Sequence, residues 1–383
     1  MFISQVSHCN PNSALNAKLL MRFTAKPLRS VMNRTFVLAA SVVLLLAAFP
    51  GQSIAQDSRA AEPRKGDQIL LLGTHGGPGL ETDRSEPASL LIVDGRPYLI
   101  DCGIGTMRRL LRAGIRSDSI GTIFLTHDHP DHALGLVDVM SNDFLSVDFG
   151  ARGPRPAFRV YGPPQTQELV QAAYNFIRIP YGIFAAEHLG VATLVDPFEA
   201  HDIAHDGVIF QDDKIRVIAA ENTHYQLMPA KFRARMKSYA YRFETPYGVI
   251  VFTGDTGPSD AVVRLAKGAD VLVSEMEDLR GRENGARPQT EAGREASERA
   301  KALEAHMRLE HLTTEEVGKM ATKAQVKTVV LYHLVLSGRT KNFVSGVQEF
   351  YSGPVFAGED LARYCLGAPG GDGNGSHALQ PCQ

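Results

Sequence analysis

Short apolar runs alternate with glycine-rich turns from residue 67 onward. In the first half of the chain the runs QILLLG, SLLIVDG, PYLIDCG and IGTIFLTH have the length of strands, and the amphipathic stretch GTMRRLLRAGI lies between the last two. In the second half KIRVIAA, SYAYRFET, GVIVFTGD, DVLVSEM and VKTVVLYHL have strand character, whereas DAVVRLAKGA and TTEEVGKMATKAQ have helical periodicity. Neighbouring strands followed by strands that alternate with helices predict mixed sheets with helices packed outside them.

The pattern predicts a single domain over residues 56–366, because no linker rich in Pro, Gly or Ser divides it. Residues 280–310 are charged and rich in alanine, which predicts a helical insertion. This insertion is either a lid or a solvated surface helix, and its composition favours the surface helix. The glycine-rich residues 367–383 predict a flexible tail, although Cys365 and Cys382 could close a short disulfide-bonded loop.

Residues 1–55 have the order of a secretory signal peptide. Basic residues between positions 22 and 34 precede an apolar run at residues 36–49, and small residues follow as far as Ala55. The apolar run is shorter than the roughly 20 residues that a membrane span needs. We therefore expect cleavage after Ala55, export to the periplasm or the medium, and no stable membrane span in the mature chain; an uncleaved N-terminal anchor is the alternative.

The charge balance points away from a polyanionic partner. The chain has 40 Lys and Arg, 42 Asp and Glu and a formal net charge of −2; because residues 1–55 hold five of the basic and none of the acidic residues, the remainder carries −7. Proteins that bind nucleic acid usually present a basic field. Nucleic acid is therefore not expected as a partner.

The segment THDHPDH concentrates side chains that bind metals. His127 and His129 follow directly on the strand TIFLT, so an extended backbone aims both imidazoles to one side and Asp128 to the other. The proline ends the extension, and the helix that follows holds Asp131 and His132 in its first turn. Imidazole nitrogens and carboxylate oxygens gathered around one point suit a cation of the zinc class. Asp128 is predicted to support a ligand from behind.

Further segments place this motif in a family. LLGTHGGPG and YLIDCGIGTMRRL precede it, and AENTHYQ, SYAYRFETPYGVIVFTGDTG, VLVSEM and HLTTEEVGKMATKAQVKTVVLYHL follow it. Together these segments resemble the ribonuclease Z and arylsulfatase-like branch of the metallo-β-lactamase superfamily over residues 67–362. The resemblance implies an α/β fold, the αββα four-layer sandwich with two mixed sheets and outer helices.

The resemblance also implies a centre of two divalent metal ions, with zinc expected and manganese or iron as alternatives. One metal is implied to be held by His127, His129 and His224, and the other by Asp131, His132 and His333. Asp255 is implied to bridge the two metals. Three residues are implied to be catalytic: Asp131, His311 and Glu275. His311 would donate a proton to the leaving group and Glu275 would orient it, whereas His75 and His306 are predicted to be bystanders.

Two metals that share a carboxylate imply hydrolysis, in which a metal-bridging hydroxide attacks a sulfate ester or a phosphodiester. A small or medium anionic ester is therefore the expected substrate. Three alternatives stay open: a ribonuclease Z-like endonuclease that processes tRNA 3′ ends, a lactonase or β-lactamase type of hydrolase, and a catalytically silent binding protein on the same fold. The leader disfavours the tRNA nuclease, as does the segment 162–193, whose single Lys or Arg is Arg178. Members of this branch often pair, so a homodimer is an alternative to a monomer.

Overall fold

The computed structural model describes residues 66–77, 79–149, 158–187, 198–277, 291–335, 343–367 and 379–382. The predicted signal peptide lies outside these residues, as do residues 280–290 of the predicted insertion and residues 368–378 and 383 of the predicted tail. Among the described helices, none is both long enough and apolar enough to cross a bilayer.

One sheet is built mainly from the first half of the chain. Its strands are β1 (Asp67–Gly73), β2 (Ala88–Val93), β3 (Arg96–Ile100), β4 (Thr122–Phe124), β5 (Phe158–Gly162), β6 (Phe198–Asp202), β14 (Arg363–Leu366) and β15 (Gln380–Pro381). They lie in the order β15-β14-β1-β2-β3-β4-β5-β6. The pairs from β15 to β3 are antiparallel and those from β3 to β6 are parallel, so the sheet is mixed.

The second sheet is built from the second half. Its strands are β7 (Gly207–Gln211), β8 (Arg216–Glu221), β9 (Tyr239–Glu244), β10 (Val249–Phe252), β11 (Val271–Glu277), β12 (Thr328–Val335) and β13 (Val355–Ala357). They lie in the order β13-β12-β11-β10-β9-β8-β7. This sheet is also mixed, because β7 to β10 pair antiparallel and β10 to β13 pair parallel.

The described helices are α1 (Thr106–Arg112), α2 (Pro130–Ala133), α3 (Leu136–Phe149), α4 (Thr166–Ala186), α5 (Ala230–Arg233), α6 (Asp260–Leu265), α7 (Glu291–Leu309), α8 (Thr314–Ala324) and α9 (Phe343–Gln348). Thr313 caps α8 and forms a capping box with Glu316, which satisfies two otherwise unpaired backbone amides. The sequence predicts this helix start.

Three apolar layers separate the secondary-structure elements. Alternate residues of each strand face opposite ways: Ile69 packs into a cluster shared by both sheets, whereas Leu70 packs on the other face with residues of α1, α3 and α4. On the far side of the second sheet, Leu272 packs with residues of α6, α8 and α9. Three buried layers require four layers of structure, so the predicted αββα sandwich with outer helices is confirmed.

Some local predictions differ from the structure. The helix predicted after the proline is interrupted at residues 134–135, which separates α2 from α3. The sequence predicts a helix over residues 165–179, but helix α4 continues past Pro180 to Ala186, with Ile177 and Tyr181 buried on either side of the proline. The predicted tail is not uniformly loose, because Gln380–Pro381 pair with β14 and Cys382 is disulfide-bonded to Cys365.

Candidate metal centre

The loop after β4 delivers the first group of predicted ligands. His127 is fully buried, its Nδ1 lies 3.0 Å from the Thr126 hydroxyl oxygen, and the next imidazole, His129, is partly buried. Asp128 is exposed and belongs to none of the ligand groups among the described residues. His132 follows in α2 and is also fully buried.

The carboxylate that supports this loop is Asp101 and not Asp128. Asp101 directly follows β3 and has a positive φ of 57°. Its Oδ1 accepts the Thr126 amide at 2.7 Å, its Oδ2 accepts the Thr126 hydroxyl at 3.0 Å, and the same Oδ2 lies 2.9 Å from Nδ1 of His132. The contact leaves Nε2 of His132 to face the site. Sequence reasoning missed Asp101, although an aspartate at the end of a strand beside β4 is a usable signal.

Two glycines allow the loops to approach each other. A Cβ at Gly103 would overlap the carbonyl oxygen of Asp131, so the loop after β3 can touch the ligand loop only without a side chain there. Gly254 has a φ of 58°, and a Cβ there would lie 2.8 Å from the Tyr239 carbonyl oxygen. The turn at Gly254 carries the chain from β10 to Asp255.

The second sheet contributes the remaining predicted ligands. His224 lies in the loop after β8, and its Nδ1 is 3.0 Å from the carbonyl oxygen of Glu310. His333 lies within β12 at a register shift, with a φ of 47° that is unusual for a residue with a side chain. This irregularity interrupts the alternation of the strand, as a β-bulge does, and such strain is concentrated at functional sites.

The seven predicted ligands form two adjacent groups that Asp255 connects. Ligand atoms of His127, His129, His224 and Asp255 lie within 4.8 Å of one another and form one group; those of Asp131, His132 and His333 form another. Oδ2 of Asp255 lies 3.1 Å from Nε2 of His333 and 3.3 Å from Nε2 of His132. The same oxygen is 3.8 Å from Nε2 of His127 and 4.0 Å from Nε2 of His224, so it stands between the two groups.

The donor atoms fit divalent metal ions. Among the described residues, Nε2 of His127, His132 and His333 and Oδ1 of Asp255 are buried without a hydrogen-bond partner. Buried polar atoms are rarely left without a partner, and imidazole with carboxylate is a donor set that zinc and related ions accept. The residues present therefore fit a two-metal centre.

The pKa values of the histidines are lowered in the first ligand group, whereas that of His333 in the second group is raised. Burial lowers the pKa of His127 and His224 well below the usual value and that of His129 to about 4. Burial acts the same way on His333, but the carboxylates of Asp255 and Asp131 outweigh it and raise the pKa of His333 to about 10. The first group therefore favours neutral imidazoles, which is the form that binds metal.

Beside the ligands lies the predicted proton donor. Nδ1 of His311 is 2.9 Å from Oε2 of Glu275, whose other oxygen accepts the Thr256 amide at 2.7 Å. Burial would lower the pKa of His311, but Glu275 outweighs it and raises this pKa to about 9. A ligand atom of His311 lies within 4.8 Å of those of Asp255 and His333. The predicted orientation of His311 by Glu275 is thus present in the geometry.

One further histidine, which the sequence predicts to be a bystander, lies close to His311. His306, on the last turn of α7, has its Nε2 3.4 Å from Nε2 of His311 and its Nδ1 2.6 Å from Oε2 of Glu310. The predicted surface helix is exposed at Leu303 and Glu304, but its last turn packs against the site. Nε2 of His75 instead lies 2.6 Å from the Gly79 carbonyl oxygen, and His75 belongs to none of the ligand groups among the described residues.

A family model described as Beta-lactamase superfamily domain matches residues 96–334. The chain belongs to this superfamily. Proteins of the metallo-β-lactamase fold usually bind divalent metals, often zinc, which agrees with the donor set. The ribonuclease Z of Mycobacterium bovis (strain BCG / Pasteur 1173P2) is 28% identical over 77% of this chain and 97% of its own length. That of Mycolicibacterium paratuberculosis is 29% identical over 79% of this chain and 99% of its own length.

Solved structures of the superfamily share the fold. The metallo-β-lactamase fold protein YhfI from Bacillus subtilis superposes with a TM-score of 0.55 at 16% identity, over 78% of this chain and 99% of that one. The short form of human tRNase Z superposes with a TM-score of 0.51 at 20% identity, over 77% of this chain and 98% of that one.

The relatives correct one expectation. Nucleic acid was not expected as a partner, yet relatives that match three quarters of this chain are named ribonuclease Z, a name that states RNA as the substrate. Net charge was a poor guide because it averages over the whole surface, whereas a bound phosphate responds to the local field of the site.

Proposed function

We propose that the protein is a metal-dependent phosphodiesterase of the ribonuclease Z type that cleaves RNA. The observation that carries this proposal is the position of the Asp255 carboxylate between two ligand groups, with His311 held beside it by Glu275. Similarity to ribonuclease Z over most of both chains supports the same substrate class.

In this proposal two metal ions, for which zinc is the first choice, would be held by seven side chains: His127, His129, His224, Asp131, His132, His333 and Asp255. Bound divalent ions would supply positive charge that stabilises the phosphate as negative charge develops on it. Asp101 and the Glu310 carbonyl fix the orientation of His132 and His224. These contacts keep each Nε2 aimed into the site.

His311 acts as the proton donor in the proposal. Its raised pKa, about 9, keeps the imidazole protonated near neutral pH, and the Glu275 contact at Nδ1 directs Nε2 toward the ligand groups. A proton delivered there neutralises the oxygen that leaves the phosphate. Asp131 serves as a ligand, and its Oδ2 also accepts the amide of Gly77 at 3.2 Å.

A small phosphodiester or sulfate ester is the second candidate substrate, and export favours it. We propose that residues 1–55 are a cleaved signal peptide, and the Cys365–Cys382 disulfide suits an oxidising compartment. Helix α4 carries Arg178 as its single Lys or Arg, which gives little positive charge to track a long RNA backbone.

The test is an assay of chain 56–383 loaded with zinc, with measured metal content. The substrates are an RNA with a 3′ extension, bis(4-nitrophenyl) phosphate, 4-nitrophenyl sulfate, a lactone and a β-lactam. We expect cleavage of RNA that a chelator abolishes. Turnover of the sulfate without any diester would contradict a phosphodiesterase, and turnover of the small diester without RNA would select the second candidate.

A further inference from the structure

The last turn of α7 brings a second carboxylate-bound imidazole to the site. His306 and His311 form a pair in which each Nδ1 contacts a glutamate, Glu310 at 2.6 Å and Glu275 at 2.9 Å. Their Nε2 atoms lie 3.4 Å apart and face each other. The two rings therefore present equivalent nitrogen atoms to the same small volume.

This placement is fixed by several contacts around Glu310. Its carboxylate is buried and also accepts the Leu227 amide at 2.7 Å, and its carbonyl oxygen lies 3.0 Å from Nδ1 of His224. The neighbouring Leu309 carbonyl accepts the side-chain amide of Gln226. The end of α7 is thus tied to the loop that carries a predicted metal ligand, which a loosely solvated surface helix would not be.

The two histidines of the pair also differ in exposure to solvent. The side chain of His306 retains 30% of its accessible surface, whereas that of His311 retains 6%. His306 therefore lies on the open side of the pair, where a substrate must enter. Two nitrogen atoms 3.4 Å apart can both reach one oxygen atom at about 2.8 Å, which is the ordinary length of a charge-assisted hydrogen bond.

We propose that His306 is a further substrate-contacting residue, which holds the leaving-group oxygen of the phosphodiester together with His311. The inference rests on the proposed phosphodiesterase function and assigns a role to the insertion that carries α7. In the step, the oxygen of water forms the new P–O bond and releases one proton to bulk water, while the bond to the leaving oxygen breaks with its electron pair on that oxygen. His311 supplies a proton to the leaving oxygen and regains one from bulk water, and His306 donates a hydrogen bond to the same oxygen.

The test uses His306→Gln and His306→Ala in the zinc-loaded chain, with Glu304→Gln as the matched control on the exposed face of α7. The two substrates are RNA, whose alkoxide is a poor leaving group, and bis(4-nitrophenyl) phosphate, whose leaving group needs little help. We expect kcat on RNA to fall about 10- to 100-fold in both His306 variants and kcat on the nitrophenyl ester to fall less than about 3-fold. The control should match wild type on both.

Binding of inorganic phosphate, measured by calorimetry, provides a readout that does not need turnover. We expect the phosphate Kd to rise about tenfold in both His306 variants, with metal content and Tm unchanged. Equal rates and equal Kd values in variants and wild type would overturn the inference. Loss of bound metal from the variants would also overturn it, because it would make His306 a ligand together with His224 and His311.

The two proposals fail in different ways. A wild-type protein that cleaves no diester but binds phosphate through His306 would refute the phosphodiesterase and leave the contact standing. A wild-type protein that cleaves RNA equally well without His306 would refute the contact and leave the phosphodiesterase standing.

Discussion

The two ligand groups of the site contain different chemistry. The imidazole group, His127, His129 and His224, is supported by a hydroxyl and a backbone carbonyl, and burial lowers the pKa of its rings. The carboxylate group, Asp131, His132 and His333, includes an acidic ligand, and the buried Asp101 supports His132. In the absence of metal, the imidazoles of the first group therefore favour the neutral form, whereas His132 and His333 favour the protonated form.

Asp255 joins the two groups, so its removal should have the largest effect. In Asp255→Ala the shared oxygen is lost from both groups, and we expect metal content to fall from two ions to one or fewer. Phosphodiesterase activity should fall by about 10³-fold or more, since both ions would stabilise charge on the same phosphate. Metal analysis and kcat on a diester check this, with the exposed Asp260→Ala as control. Two retained ions with normal activity would contradict the bridging position.

Asp101→Asn should weaken metal binding at one ligand group and leave the other nearly unchanged. The carboxamide removes the charge that supports His132 while its oxygen can still accept the Thr126 amide, so the loop should keep its shape. We expect affinity for one of two metal ions to fall about 10- to 100-fold and affinity for the other to change little. Titration against a competing chelator measures both constants, and Asp213→Asn, at an exposed carboxylate, is the control. Equal weakening of both sites would show that the groups are not independent.

Acid and base should each lower the stability of the metal-free protein, acid through the first ligand group and base through the second. The folded pKa of His129, about 4, is below its unfolded value, so the unfolded chain binds the extra proton and stability falls as pH drops from about 6.5 to about 4. The folded pKa of His333, about 10, is above its unfolded value, so its contribution is complete below about 6.5 and is lost as pH rises toward 10.

Thermal unfolding of chelated protein across this pH range measures both effects. His129→Gln should flatten the acid side of the Tm profile, and His333→Gln should flatten the alkaline side. The account would be contradicted if His129→Gln flattened the alkaline side of the Tm profile and His333→Gln flattened the acid side.

Local sequence patterns predict most of the fold, whereas the set of seven ligands is implied by the family resemblance. Period-two apolar runs mark the strands, and ligand-type residues at strand ends such as Asp255 converge because neighbouring strands end at the same rim. The irregularity at His333 was not predictable, because a register shift between β11 and β12 depends on their pairing and not on local composition.

The sequence predicts His306 to be a bystander for a similar reason. A charged, alanine-rich helix has the same composition whether its last turn meets solvent or another loop, and only the Glu310 contacts with His306 and Leu227 distinguish the two cases. The partner prediction was wrong on a different ground, since a net charge says little about the field at one buried site.

Activity measured against bound metal tests the central claim most directly. Metal-free chain 56–383 would be titrated with zinc while the cleavage of an RNA with a 3′ extension and the number of ions bound per chain are followed together. The geometry predicts that cleavage tracks the fraction of chains with both ions and approaches its maximum near two ions per chain. Full cleavage without metal, or no cleavage of any diester with two ions bound, would contradict a two-metal phosphodiesterase.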